Sequence, residues 1–171
     1  MILFRYDSAE KEKNTGTPIL NDVPSDFLRE AKGFGLEGLY HPTEPEREMV
    51  QAQIGKVWEL IGSTLDEFPF PVSGVYLYED SACFGDYEGN DGLCANQEKV
   101  NSNRKRAIIG IGKSAIEAGE EYTAFLLLHE ITHAATATTG HNERFHQYLN
   151  YLLFCFNQQY GTNLENDYSG D

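Results

Sequence analysis

Four of the five histidines in this 171-residue chain lie between His129 and His146. His129 and His133 are four residues apart in the motif HEITH, and Glu130 lies between them. On an α-helix this spacing places both imidazoles on one face, about one turn apart, where they suit a single zinc ion. Glu130 would then lie beside the metal in an open cleft, rather than in the core, and contact a water without ligating the ion.

A catalytic zinc site usually has three protein ligands, so the motif requires a third. His141 is the best candidate because it directly follows Gly140, which can end the helix and turn the chain back. His146 is a weaker candidate because it lies one further turn into the next helix. The predicted Zn2+ ligands are therefore His129, His133 and His141.

Two predicted helices position these histidines. The first runs from Glu120 to Gly140 and has acidic residues in its first turn, where the helix dipole favours them. The second runs from Asn142 to Tyr160, with Asn142 as a suitable N-cap. The metal ligands thus lie on one helix and on the connection that follows it.

An upstream helix is predicted from Thr43 to about Leu65, because Thr43 and Glu46 have the spacing of a capping box. Its apolar residues recur at helical spacing and should form one buried stripe. These residues are Met49, Val50, Ile54, Val57, Trp58 and Ile61. A shorter helix is predicted from Pro24 to Gly33, where a glycine ends it.

Two strands are predicted from runs of β-branched and aromatic residues, Val72 to Glu79 and Arg106 to Gly112. A further strand could begin at Ala82. The segment from Gly85 to Gly92 is rich in turn residues and matches a calcium-binding loop poorly, because Asp91 occupies the position that requires glycine. An ordinary solvated loop is the better interpretation.

These elements predict one α+β domain over residues 1–171, with helices packed on a small, mostly antiparallel sheet. Residues 1–23 are expected to form an irregular arm, and residues 164–171 a loose acidic tail. A net charge of -14 opposes binding to a phosphate backbone, so no nucleic-acid partner is expected. The N-terminus lacks signal-peptide features and no apolar run could span a membrane, which predicts a cytoplasmic protein without membrane contacts. The sequence leaves the oligomeric state open.

The chain has three cysteines, Cys83, Cys94 and Cys155. Their odd number and the expected location predict reduced thiols, although Cys83 and Cys94 could meet across a hairpin. No Cys-x-x-Cys pair is present, which excludes a thiolate zinc ribbon. Cys155 lies in the apolar run YLLFCF and is predicted to be buried and away from the metal.

The segment LLLHEITHAATATTGHNERFHQYL, with the preceding IIGIGKSAI, resembles the SprT-like zinc metallopeptidases, within the broader gluzincin-like zincin fold. The resemblance covers Arg106 to about Phe156, and GHNERF stands where that family tends to have Gly-His-Gly-Pro-Glu-Phe. It implies a zincin-like fold and Glu130 as the catalytic base. It also implies zinc ligation by His129, His133 and His141.

The expected reaction is hydrolysis of a peptide or protein by zinc-activated water, with Glu130 passing the proton to the leaving amine. His146, Tyr148 and Tyr151 remain open as a second donor to the oxyanion. The substrate could pair along the strand from Arg106 to Gly112, unless this strand is an ordinary part of the core. Two alternatives are a non-catalytic zinc-bound module and a zinc hydrolase acting on a non-peptide substrate such as RNA.

Overall fold

The computed structural model describes residues 17–23, 25, 28–29, 39–64, 72–83, 89–96, 107–138 and 140–166. The helices are α1 (Glu44–Thr64), α2 (Lys113–Glu117), α3 (Glu120–Thr136) and α4 (Glu143–Tyr160). The strands are β1 (Val72–Tyr78), β2 (Gly92–Asn96) and β3 (Ala107–Gly112), and a short 3-10 helix covers Asp80–Ala82. These elements confirm the predicted α+β class. Within the described part of the chain, no helix has both the length and the apolar character needed to cross a membrane.

Helix α1 begins as the capping-box pattern predicts. The backbone N–H of Thr43 donates to Oε1 of Glu46 at 2.9 Å, and the N–H of Glu46 lies 3.4 Å from Oγ1 of Thr43. The predicted apolar stripe is buried against the core, except that Met49 is only half-buried. Local signals thus define both the start of this helix and its buried face.

The sheet has the strand order β1-β3-β2, in which β3 pairs parallel with β1 and antiparallel with β2. It is therefore a mixed sheet, and the expectation of a mostly antiparallel one is wrong for the described strands. Strand β2 was not predicted, because GLCAN contains no β-branched or aromatic residue. Ala82 lies in the 3-10 helix instead of beginning a strand.

Strand β3 lies in the centre of this sheet. Both of its edges are paired, and all six of its residues are buried. A continuous apolar run such as AIIGIG is typical of a strand that is covered on both faces. A substrate has no free edge to pair with here, so of the two alternatives left open for this strand the structure favours an ordinary part of the core. Among the described strands, β2 and β1 form the edges.

The two faces of the sheet carry different sets of side chains, because successive residues of a strand point to opposite sides. The face toward the helices carries Val75, Leu77, Cys94, Ile109 and Ile111. The other face carries Tyr76, Tyr78, Leu93 and Ile108, and Cys83 packs against them. The main core therefore lies between the sheet and helices α1, α3 and α4.

Parts of the predicted arm and tail are held against the domain. Asn21 uses its side-chain oxygen to accept a hydrogen bond from the N–H of Leu77 at 2.7 Å. At the other end, Leu164 packs on the core, and its N–H donates to the side chain of Asn157 at 2.8 Å. Residues 1–16 and 167–171 lie outside the described residues.

Two further predictions fall largely outside the described residues. Of the predicted helix from Pro24 to Gly33, the structure describes only Ser25, Leu28 and Arg29, which are helical. Of the turn-rich segment from Gly85, it describes the part from residue 89 onward, where Gly89 has a positive φ of 77°.

We predict that all three cysteines titrate as thiols in denaturant. Cys83 and Cys94 pack on opposite faces of the sheet, so their side chains point apart, which a disulfide does not allow.

Contrary to the sequence-based expectation, Cys155 is only half-buried, because its position on α4 faces partly outward. In the native protein Cys155 should therefore react first with a thiol reagent, and Cys155→Ser should remove this fast phase. Fewer than three thiols in denaturant would contradict the prediction.

Candidate metal centre

Helix α3 is the central helix of the described structure. Every residue from 126 to 136 is buried, because the helix packs against α1, α2, α4 and strands β2 and β3. A helix that is apolar on most sides, as FLLLHEITHAAT is, can be covered in this way. The side chains of the HEITH motif consequently lie in the interior of the protein.

Three histidines converge at this helix. The ring nitrogens of His129, His133 and His141 that could ligate a metal all lie within 4.8 Å of one another. The centroid of the His141 ring is 5.1 Å from that of His129 and 5.0 Å from that of His133. His129 and His133 are buried, and His141 is half-buried. The three residues are therefore close enough to bind one metal ion.

The end of α3 differs from the prediction. The helix stops at Thr136, and Ala137 adopts the left-handed conformation with φ of 53° and ψ of 41°. The N–H of Ala137 then donates to the carbonyl of His133, which closes the last turn. Gly140, the predicted terminator, is exposed in the connection that follows. Ala137 thus occupies the left-handed position at the helix end, where glycine is more common.

This turn sets the position of the hydrogen on the imidazole of His133, one of the three candidate ligands. Nδ1 of His133 lies 2.8 Å from the carbonyl oxygen of Thr138. A carbonyl oxygen only accepts, so Nδ1 carries the hydrogen and Nε2 keeps the lone pair that a metal requires. Nε2 is buried, and no group among the described residues forms a hydrogen bond with it. His133 is thus held in the tautomer that can ligate a metal.

Helix α4 brings an aromatic ring against the histidines. Asn142 is its N-cap, as predicted, and its side chain accepts from the N–H of Phe145 at 2.9 Å. The ring of Phe145 is buried. Its centroid lies 4.5 Å from the ring centroid of His133, 5.0 Å from that of His129 and 4.9 Å from that of His141. Phe145 therefore packs on all three imidazoles and restricts their orientation. Its sequence signal, an apolar residue in the first turn of a helix, is too common to have identified it.

Glu130 is buried, with 4% of its surface exposed. The expectation that it lies in an open cleft is wrong, because no side of α3 faces solvent at this position. Burial raises the pKa of its carboxyl to about 8, and the nearby Asp91 adds to this effect. No described group forms a hydrogen bond with its Oε1. Glu130 is thus a buried carboxyl with one oxygen that lacks the hydrogen bond such groups normally have.

Other polar side chains on α3 behave differently. The hydroxyls of Thr123, Thr132 and Thr136 each donate to the carbonyl four residues earlier, at 2.8, 2.7 and 2.7 Å. Polar groups that serve only the structure are satisfied in this local way. Nε2 of His133 and Oε1 of Glu130 are not, which marks both residues as candidates for a functional role.

Burial keeps the imidazoles of His129 and His133 neutral. Burial, followed by the proximity of His133 and His141, lowers the pKa of His129 to about 3. Burial also lowers the pKa of His133 to about 4, although the hydrogen bond to Thr138 acts in the other direction. Both rings therefore lack the extra proton at neutral pH, which is the form that binds a metal.

The remaining predicted residues lie outside this group of three. Nδ1 of His146 is 3.0 Å from the side-chain nitrogen of Asn166, and its ring centroid is 6.5 Å from that of His141. Tyr148 is half-buried and packs against the core. Tyr151 is 51% exposed on α4. Of the three candidates for a second donor, only His146 has a ring contact with one of the three clustered histidines among the described interactions.

Comparison with known proteins finds no family model, no curated protein and no solved structure that matches this chain. The resemblance of its HEITH segment to the SprT-like metallopeptidases therefore remains an expectation from the motif. What the chain does has to be inferred from its own residues.

We predict that Glu130→Gln stabilises the metal-free protein, and that the gain grows as the pH rises. Below pH 4.5 the carboxyl is protonated in both states, since its pKa is 4.5 in the unfolded chain and about 8 in the fold. Above pH 4.5 the unfolded chain loses this proton first, which favours unfolding. Glutamine has a similar shape and no charge, so it removes a penalty of up to about 4 kcal/mol at pH 8.

Thermal melts at pH 4.5 and pH 8 in the presence of a chelator measure this difference. The matched control is Glu121→Gln on the exposed first turn of the same helix, which should change stability little at either pH. A gain in stability that is the same at about pH 4.5 and about pH 8 would contradict the burial of the Glu130 carboxyl.

Proposed function

We propose that this chain is a zinc-dependent metallopeptidase of the SprT-like, zincin-fold kind. The observation that carries the proposal is the convergence of three imidazoles, of which His133 has a buried Nε2 and a tautomer fixed by the Thr138 carbonyl. Glu130 lies one residue after the first ligand, about 60° around the helix axis from His133. Two of the proposed ligands and the carboxyl base thus lie on one helix, and His141 comes from the connection that follows it.

The donor set suits zinc. Three neutral imidazoles are borderline ligands that zinc accepts readily, and they supply three of its four tetrahedral positions. The candidate ligand nitrogens lie within 4.8 Å of one another, which is close enough to bind one metal ion. The fourth position would then be available to water or substrate.

A zinc ion held by His129, His133 and His141 would supply Lewis acidity that activates water and polarises a carbonyl at neutral pH. Glu130 accepts the proton of the attacking water and then delivers it to the leaving amine. Burial raises the pKa of this carboxyl to about 8 in the metal-free protein, and the charge of a zinc ion beside it would favour the carboxylate form that accepts a proton. The Phe145 ring keeps the three imidazoles in place during these steps.

Strand β2 is the best place for a peptide substrate to pair. Its outer edge has no partner among the described strands, whereas both edges of β3 are occupied. It also contacts the helix that carries the motif, since a Cβ on Gly92 would lie 2.9 Å from the side chain of Leu126. An extended peptide could add to this edge through backbone hydrogen bonds.

A specific observation favours a second candidate, a non-catalytic module that holds a metal. His129 and His133 are only 4% and 1% exposed, and structural zinc sites are closed in this way. Peptide hydrolysis requires substrate to reach the metal from the side of the half-buried His141. An RNA substrate is disfavoured by the net charge of -14.

We predict that the purified protein binds about one zinc ion per chain. His141→Ala should weaken zinc binding by on the order of 100-fold or more, because it removes a ligand. His146→Ala is the matched control and should leave the stoichiometry unchanged. Elemental analysis and titration with a zinc indicator measure both quantities. Equal zinc affinity in the native protein and His141→Ala would remove His141 from the site.

We predict that Glu130→Gln retains zinc and lowers kcat by about 100-fold to 10,000-fold, because an amide cannot accept the proton of water. The assay is hydrolysis of a broad library of fluorescence-quenched peptides by the zinc-loaded protein. Equal hydrolysis by the two forms would contradict the mechanism. A zinc-loaded native protein that cleaves no peptide would favour the non-catalytic module.

A further inference from the structure

We propose that His146 is the second donor to the oxyanion, through the hydrogen on its Nε2, and that Asn166 is the positioning residue that fixes this tautomer. The inference rests on the proposed peptidase function. It is carried by a pair of side-chain contacts at the end of the described chain. These contacts connect α4 with residues 164–166, which follow it.

The side chain of Asn166 determines where the hydrogen of His146 lies. Its nitrogen Nδ2 is 3.0 Å from Nδ1 of His146 and 3.0 Å from Oδ1 of Asn150. An amide nitrogen has two hydrogens and only donates, so it donates one to each of these atoms. Nδ1 of His146 therefore accepts, and the hydrogen of the neutral imidazole lies on Nε2.

His146 borders the solvent-accessible side of the metal centre. Its ring centroid is 6.5 Å from that of His141, the most exposed of the three ligating residues, and 5.5 Å from that of Phe145. The ring is itself half-buried. Its backbone N–H donates to the carbonyl of Asn142 at 3.1 Å, which ties its position to the first turn of α4. His146 is thus placed beside the ligands without being one of them.

The two tyrosines that compete for this role lie elsewhere on the helix. With 3.6 residues per turn, Tyr148 is about 160° and Tyr151 about 140° around the axis of α4 from His146. Tyr148 packs against the core, and Tyr151 is largely exposed to solvent. Neither has a ring contact with His141 among the described interactions, whereas His146 does.

The reaction has a place for such a donor. When water adds to the peptide carbonyl, a new C–O bond forms and the electron pair of the C=O bond moves to oxygen, which becomes negative. Glu130 takes the proton of the water, the C–N bond then breaks, and this proton passes to the amine. The Nε2–H of His146 stabilises the negative oxygen by a hydrogen bond, and His146 neither gains nor loses a proton.

Kinetics of the zinc-loaded protein test the donor. His146→Phe keeps an aromatic ring but removes the N–H, so kcat should fall about 100-fold to 1,000-fold with little change in KM. His146→Gln keeps a donor and should retain roughly tenfold more activity than His146→Phe. Tyr148→Phe and Tyr151→Phe are the matched controls and should be as active as the native protein. Zinc content and melting temperature are measured for every variant.

A readout that does not depend on activity tests Asn166. Nitrogen-15 NMR of the imidazoles in the zinc-loaded protein should show the Nε2–H tautomer for His146. Asn166→Asp has the same shape, but its carboxylate only accepts, so the hydrogen of the neutral imidazole should move to Nδ1 at pH 8. The kcat of this variant should fall together with the change of tautomer, while zinc content stays the same.

Each outcome bears on the proposal. Full activity in His146→Phe, or a loss of activity in Tyr148→Phe or Tyr151→Phe instead, overturns the role of His146 and leaves the peptidase function standing. Loss of zinc from both His146 variants makes His146 a ligand and overturns the proposal too. A native protein that binds zinc and cleaves no peptide overturns the peptidase function itself. An Nδ1–H tautomer in the native protein overturns the role of Asn166.

Discussion

The burial of α3 is the constraint on which the rest of the site depends. Because residues 126–136 are covered on every side, each polar group there must be satisfied within the protein. The threonines achieve this through carbonyls of their own helix, whereas Nε2 of His133 and Oε1 of Glu130 find no partner among the described groups. The same burial keeps the imidazoles neutral and holds the pKa of the Glu130 carboxyl high. A metal ion would satisfy the lone pair of His133 Nε2, which this packing leaves inside.

The short turn after α3 converts two histidines on a helix into a set of three. Ala137 in the left-handed conformation ends the helix and allows the Thr138 carbonyl to reach back to His133. The chain then returns with His141, and the N-cap Asn142 starts α4 at once. One local change of backbone direction thus sets the tautomer of His133, brings His141 beside the other two histidines and leads directly into α4.

The surroundings of the site differ on its two sides. Toward the sheet, α3 is in close contact with β2, where Gly92 leaves room for the side chain of Leu126. Toward α4, the half-buried His141 and His146 are the nearest points to solvent. A catalytic role and a purely metal-holding role make different demands on this second side, because only catalysis requires substrate to approach the metal there.

Signals within a few residues of one another were sufficient for α1, for the N-cap of α4 and for the grouping of His129, His133 and His141. The Thr43–Glu46 capping box, the Asn142 cap and the four-residue histidine spacing all depend on local geometry, which the order of residues shows directly. Strand β2, its pairing with β3 and the hydrogen bond between His146 and Asn166 depend on contacts between separate segments. So does the burial of Glu130, because a motif specifies which residues share a helix face but not which other elements cover that face.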